Sequence, residues 1–262
     1  MRSSHPGLDL VCNFNRDKKL ESVSELFNKG FCILKNSATL EDCKVLISDL
    51  ENLRTKYPYH IESSKTYSGV FRSPFIFFDS YRDLMLNEKI HQNLQEIFPC
   101  KYHLHLNRCV ENKPNKMAAT VEWHRDIPYL HSPSSFPLSI SALTFLSKSD
   151  DIQIELLLDS HSTNFYDYEN SEILKLNPKP GETIFFDSNL IHRTLPTSKT
   201  VFYNLFMFSS PIIKPVVDYS SNEAKKLLSI NKYRLNEIKE KIGYEFLVPK
   251  DDYDYINSKD IK

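Results

Sequence analysis

Between Thr120 and Phe208 the chain runs through five short apolar segments: Thr120–Trp123, Leu138–Leu146, Ile152–Leu158, Thr183–Phe186 and Val201–Phe208. Turn-forming stretches separate several of them. Asn112-Lys113-Pro114-Asn115 precedes the first, Ser149-Asp150-Asp151 the third, and Asn177-Pro178-Lys179-Pro180-Gly181 the fourth. Many short apolar runs broken by turn residues predict an antiparallel barrel or jelly roll, not alternating β-α units. Leu138–Leu146 is apolar enough to be buried on both faces.

The first half supplies the flanking helices. Ser22–Asn28 predicts a short helix, with Gly30 where a left-handed C-cap is wanted, and Phe31–Leu34 a short strand. Thr39 can cap a second helix, whose Leu40, Cys43, Leu46, Ile47, Leu50 and Leu53 recur in steps of three and four. That apolar face is expected to pack on the outside of a sheet. Lys56–Ser73 has no strand pattern and reads as irregular. Asp79–Phe98 reads as one helical run, stopped by Pro99. Tyr102–Val110 alternates, with Tyr102, Leu104 and Leu106 on one face and His103, His105 and Asn107 on the wet or cavity side. Pro211 and Pro215 are expected to end the sheet, and Asn222–Gly243 reads as a charged helix. The domain reading is a loose arm at 1–18, one barrel domain with N-terminal helices at 19–215, and a C-terminal helix with an acidic tail at 216–262.

Composition excludes several classes. The net charge of 262 residues is −1 with both signs scattered, so no field points to nucleic acid or an anionic membrane. The segment Met1–Asn15 lacks an apolar core, and no apolar run approaches membrane-spanning length. Five cysteines, at 12, 32, 43, 100 and 109, are odd in number and show no C-x-x-C spacing. They read as reduced, mostly buried thiols of a cytoplasmic protein.

The chemistry-bearing stretch is Val121-Glu122-Trp123-His124-Arg125-Asp126-Ile127-Pro128. At the end of a strand, positions i and i+2 share a face, so His124 and Asp126 can grip one ion together. His192, just after the Thr183–Phe186 run, is the best third ligand. Two His and one carboxylate on one side of an ion form the facial triad of non-haem Fe(II) oxygenases. His60-Ile61-Glu62 has the same spacing but lies in a polar stretch with no strand to hold it rigid, so context favours His124 and Asp126.

These pieces form an ordered set. Glu25–Lys35 gives a helix-Gly-strand opening, followed by Trp123-His124-Arg125-Asp126 and Ser141-Ala142-Leu143-Thr144-Phe145-Leu146. Glu155–His161, Pro180–Asp187 and His192-Arg193-Thr194-Leu195-Pro196 complete it. Over roughly residues 22–208 the chain resembles the phytanoyl-CoA dioxygenase-like (PhyH) family of Fe(II)/2-oxoglutarate-dependent oxygenases. The resemblance implies a mainly β fold, a double-stranded β-helix (jelly-roll, cupin-like) barrel with flanking helices. It implies Fe(II) on His124, Asp126 and His192, with 2-oxoglutarate and O2 as co-substrates. Thr194 matches a small hydroxyl residue that helps hold 2-oxoglutarate. Relatives that halogenate carry a small residue at the position of Asp126, so its carboxylate implies hydroxylation.

The chain departs from the family at one place. Members carry an Arg about eleven residues after the distal His to pair with the far carboxylate of 2-oxoglutarate, and here that position is Tyr203. Lys199 is the first substitute expected, helped by the hydroxyls of Thr194 and Tyr203; Arg108 is the second. Arg193, next to a ligand, is expected to point away. The resulting expectation is a cytoplasmic dioxygenase that hydroxylates a small-molecule metabolite and converts 2-oxoglutarate to succinate. Two alternatives remain open: a metal-dependent dioxygenase or isomerase that does not use 2-oxoglutarate, and a non-catalytic metabolite-binding barrel.

Overall fold

Among the described residues, the major sheet of the computed structural model has seven antiparallel strands in the order β1-β8-β5-β10-β4-β3-β2. These are β1 (Phe31–Leu34), β2 (Ile61–Glu62), β3 (Gly69–Arg72), β4 (His103–Asn112), β5 (Ser139–Phe145), β8 (Thr183–Asp187) and β10 (Val201–Ser209). A minor sheet runs β7-β6-β9, from β6 (Ile154–Leu157), β7 (Ile173–Leu176) and β9 (His192–Thr194). The structure describes residues 20–56, 58, 61–62, 69–98, 102–114, 116, 118, 121–127, 137–163 and 171–210. The expected arm at 1–18, the 222–243 helix, the tail, Pro211, Pro215, His60, Cys12 and Cys100 lie outside them.

Two apolar layers hold the sheets. Phe31, Val110, Leu143, Phe145, Ile184, Phe186 and Tyr203 on the inner face of the major sheet meet Ile154 and Leu156 of the minor sheet. The other face of the major sheet, with Cys32, Cys109, Ile140, Ala142, Phe185, Phe206 and Phe208, packs against the helices. This is the double-stranded β-helix expected. Inner and outer residues alternate along each strand because successive side chains of a strand point to opposite faces.

Helix α1 (Glu21–Lys29) ends at Gly30, whose φ of 82° is left-handed. A Cβ there would meet the His161 ring at 2.5 Å, so glycine is required twice over. In α2 (Leu40–Lys56), Thr39 Oγ1 accepts from Asp42 N and Thr39 N donates to Asp42 Oδ2, a reciprocal cap. Its buried stripe is Cys43, Leu46, Leu50 and Leu53, while Leu40 is exposed. The single run expected over 79–98 is two helices, α3 (Asp79–Met85) and α4 (Glu88–Ile97). Asn87 divides them because its side chain accepts from Lys89 N and Ile90 N, starting a new helix.

Three strand expectations need correction. The stretch read as irregular, 56–73, contains β2 and β3, which extend the major sheet beyond β4. The short strands β7 and β9 were also unforeseen. The segment carrying His124 is no strand: among the described residues 121–127, only His124 bridges to His192.

The strict alternation expected along β4 also fails. Opposite β10, Met207 pairs with Leu106 and Phe208 with Leu104, so His105 is an extra residue in the ladder. Such a bulge puts two successive side chains on one face. Past it, Leu106, Arg108 and Val110 share the face of His103 and His105. Asn107 turns outward, donating to Asn204 Oδ1 at 2.9 Å and to the Leu205 carbonyl at 3.1 Å.

Cys32, Cys43 and Cys109 are free and buried. Burial pushes their thiols up to about 12, 11 and 12, which leaves them protonated and unreactive. Among the described residues, no helix is long and apolar enough to cross a membrane.

Candidate metal centre

His124 and His192 exchange backbone bonds, each N–H donating to the other's carbonyl at 3.0 Å. This pairs the 121–127 segment with β9, so two candidate ligands far apart in sequence come side by side, with ring centroids 4.3 Å apart. Asp126 follows two residues later. Its Oδ1 lies 3.7 Å from His124 Nε2 and 3.7 Å from His192 Nε2. Among the described residues, no other three His, Cys, Asp or Glu side chains converge in this way.

Each histidine is set in the tautomer a metal needs. His124 Nδ1 lies 2.9 Å from the Glu122 carbonyl and His192 Nδ1 3.0 Å from the Leu190 carbonyl. A carbonyl only accepts, so each Nδ1 carries the proton and each Nε2 presents its lone pair. Phe186 meets the His192 ring edge-on at 4.7 Å and limits its rotation.

Electrostatics agree with that role. Burial opposes ionisation of Asp126, but His192, His124 and the Ser141 hydroxyl outweigh it and hold its carboxyl below the ordinary range. Burial, with repulsion from His124, keeps His192 below its ordinary value despite the pull of Asp126. Burial also disfavours charge on His124, yet Asp126 and the Glu122 carbonyl together raise its pKa. An anionic carboxylate and a neutral imidazole therefore stand ready at neutral pH. The donor set fits a first-row divalent ion, because bonds of about 2.0–2.2 Å can bridge donors up to roughly 4 Å apart.

Two residues that the sequence reading did not single out hold this geometry. Ser141, on β5, donates to Asp126 Oδ2 at 2.6 Å and shares a 2.8 Å bond with Ser188. Arg125 donates to the carbonyls of Ser160 at 2.9 Å, Thr163 at 3.0 Å and Asn189, tying the ligand loop to two neighbouring loops. Its place between two ligands was the only available signal. Arg193 does turn away: it forks onto Glu155 at 2.7 Å and lies 4.4 Å over the Trp123 ring.

The candidates for holding a keto acid separate. Thr194 and Tyr203 are buried, and the Tyr203 hydroxyl donates to Thr194 Oγ1 at 3.5 Å. Arg108 pairs with Leu205 on one side and Arg72 on the other, on the face that Val110 and Tyr203 share. Lys199, the first choice for the anchoring charge, instead stands on the surface. Its Nζ is 2.9 Å from Asp150, and both side chains are about two-thirds exposed. The reason is local. Asp151 accepts from Ser198 N and Oγ, both at 2.7 Å, which fixes the turn before β10 and sends Lys199 along the rim. His60 of the rival motif lies outside the described residues.

The sequence matches the phytanoyl-CoA dioxygenase (PhyH) family over residues 27–200, well over half of the chain. It matches no curated protein. Among solved structures it is similar to SnoK, a non-haem α-ketoglutarate-dependent carbocyclase from nogalamycin biosynthesis, at TM-score 0.62 and 11% identity, covering 74% of this chain and 85% of that one. HygX from Streptomyces hygroscopicus with nickel and 2-oxoglutarate bound is similar at TM-score 0.62 and 13% identity, with 79% and 93% covered. The epimerase SnoN in complex with Fe3+, α-ketoglutarate and nogalamycin RO is similar at TM-score 0.59 and 10% identity, with 72% and 82% covered. At such identities the structural likeness speaks for the fold; the sequence match speaks for the lineage. The chain belongs to the phytanoyl-CoA dioxygenase (PhyH) family and is an enzyme of its iron- and 2-oxoglutarate-dependent class.

Proposed function

We propose that the protein hydroxylates a small-molecule metabolite, using Fe(II) held by His124, Asp126 and His192, with 2-oxoglutarate and O2 as co-substrates. When bound, the iron supplies the activation of O2, and the keto acid leaves as succinate and CO2. The observation that carries the reading is Asp126: its Oδ1 sits 3.7 Å from both Nε2 atoms. A carboxylate as third ligand supports hydroxylation over halogenation, for which that position is small in relatives.

The chain's own residues do four things. His124 and His192 present neutral Nε2 atoms, and Asp126 presents one oxygen while Ser141 holds the other. The apolar wall of Leu143, Phe145, Ile184 and Phe186 excludes water from the interior. The Thr194 and Tyr203 hydroxyls offer polar contacts at the buried end. Arg108 supplies the charge that meets the far carboxylate of 2-oxoglutarate. Its support is a half-buried position on the inner face beside Arg72, whereas Lys199 stands on the exposed rim beside Asp150. A guanidinium also suits a carboxylate better than an ammonium does, through paired N–H donors.

A second reading has its own support. SnoK and SnoN are a carbocyclase and an epimerase on the same fold, at 11% and 10% identity. Such outcomes retain 2-oxoglutarate consumption but transfer no oxygen to the substrate. The test is a screen of metabolites for coupled succinate formation with the Fe(II)-loaded protein, followed by mass analysis of the product. A gain of one oxygen supports hydroxylation. An unchanged mass or the loss of two hydrogens supports the second reading, and no succinate with any compound removes both.

A further inference from the structure

The bulge in β4 leaves His105 where the metal site has so far given it no task. Its residue is 7% exposed, and its Nδ1 is buried with no hydrogen-bond partner. A buried nitrogen without a partner is costly to leave unpaired, so such an atom invites a ligand.

Three observations aim it at the metal centre. The His103 and His105 rings stack 6.3 Å apart, so they share a face. His103 lies opposite Ser209, and Ser209 opposite Ser139, on the side of β5 that also carries Ser141. Ser141 is the residue bonded to Asp126 Oδ2. His105 also feels the Asp126 carboxylate, although burial is the stronger influence and keeps the imidazole neutral. Ser141 and the bulge face each other across β10, a gap of two strand spacings, or about 10 Å. Asp126 enters that gap from one side and His105 from the other.

The spacing along β4 adds a length. Arg108 is three residues beyond His105 and two beyond Leu106, and Leu106 to Arg108 spans about 7 Å of strand. The two carboxyl carbons of a five-carbon keto diacid are separated by four C–C bonds, about 5 Å when extended. One strand therefore offers a donor at each end of such a molecule. His105 adjoins the row of Ser141, the partner of Asp126, and Arg108 lies one row further, towards Tyr203.

We propose that His105 is a positioning residue for 2-oxoglutarate, donating from Nδ1 to the carboxylate that chelates the metal. This rests on the 2-oxoglutarate reading above and adds to it a contact at the opposite end from Arg108. The bulge has a purpose in this light. Without the extra residue, His105 and Arg108 would lie on opposite faces, and one strand could not grip both ends.

The test uses the full chain loaded with Fe(II) without oxygen, titrated with 2-oxoglutarate by calorimetry. His105→Leu keeps the branch at the γ-carbon but removes the donor, and is expected to weaken 2-oxoglutarate binding roughly 10- to 100-fold. His105→Asn puts an amide N–H where Nδ1 stands and is expected to bind within a few-fold of the unaltered protein. His105→Gln carries its amide one bond further out and is expected to stay weak. Fe(II) affinity is expected to be unchanged in all three. Should the Leu variant fail to hold Fe(II), the Asn and Gln variants decide alone. The proposal falls if the Leu variant holds Fe(II) and binds 2-oxoglutarate normally, even with turnover lost, because the imidazole then serves the substrate. It also falls if Asn is as weak as Gln. If the unaltered Fe(II) protein binds no 2-oxoglutarate, this proposal and the oxygenase reading fall together.

Discussion

Ser141 donates its hydroxyl to one oxygen of Asp126 at 2.6 Å, and the other oxygen is the one that lies between the two imidazoles. The bond fixes the rotation of the carboxylate and so decides which oxygen meets the metal. Partners of this kind typically govern metal affinity by 10- to 100-fold. Ser141→Ala is expected to weaken Fe(II) binding by about that factor, measured by competition with a chelator. An unchanged affinity would mean that Asp126 is oriented by its backbone alone.

Acid should release the metal early. Asp126 and the Glu122 carbonyl raise the pKa of His124 against the effect of burial, so protons compete for its Nε2 above the ordinary imidazole range. Metal affinity, measured across pH, is expected to begin falling above about 6.5. In the metal-free protein the sign is opposite for stability. The extra stabilisation from charged His124 is full below the unfolded value of about 6.5 and is lost as pH rises through the folded one. A metal affinity flat down to pH 6 would contradict the assigned surroundings of His124.

Arg108 and Lys199 separate cleanly by substitution. Arg108→Ala leaves a buried carboxylate of 2-oxoglutarate without its partner, a loss of about 3–4 kcal/mol, or two to three orders of magnitude in affinity. Lys199→Ala removes only an exposed ion pair with Asp150 and is expected to leave 2-oxoglutarate binding within twofold. The reverse pattern in a binding titration would return the anchor to the rim.

Arg125 holds three carbonyls from two other loops. Arg125→Met keeps the apolar stem but strands those acceptors, at roughly 1 kcal/mol or more each. A fall in Tm of about 6–12 °C is expected for a chain of this size, together with weaker metal binding because the ligand loop loses its ties. A Tm within a degree of the parent would show that water replaces the guanidinium without loss.

The sequence disclosed the parts whose signal is local. Gly30, Thr39 and the stripe from Cys43 to Leu53 specified their helix ends and faces directly. The apolar runs ending in Val201–Phe208 specified the sheet. That His124, Asp126 and His192 come together was legible because a facial triad demands those residue types. The reasoning that linked them was only half right, since the pair sits on a bridge and not within a strand. What stayed hidden depends on pairing partners. Gly69–Arg72 becomes a strand only because β4 lies beside it. The bulge at His105 is a register shift between β4 and β10 that no alternation pattern in Tyr102–Val110 could announce. Lys199 looked well placed by counting residues, but Asp150 and Asp151 decide where it goes.

The reciprocal backbone bonds between His124 and His192 bear on how iron arrives. Both imidazoles hang from one closed ring of main chain, and their rotation is already limited by the Glu122 and Leu190 carbonyls. Iron docking there is expected to order little further main chain, and its loss to release little. Loading and unloading can proceed as exchange at a finished socket, with little ordering entropy at stake. Amide hydrogen exchange at these two positions is then expected to be slow and nearly the same with and without the metal, so a cell could starve this enzyme of iron and restore it without refolding the chain.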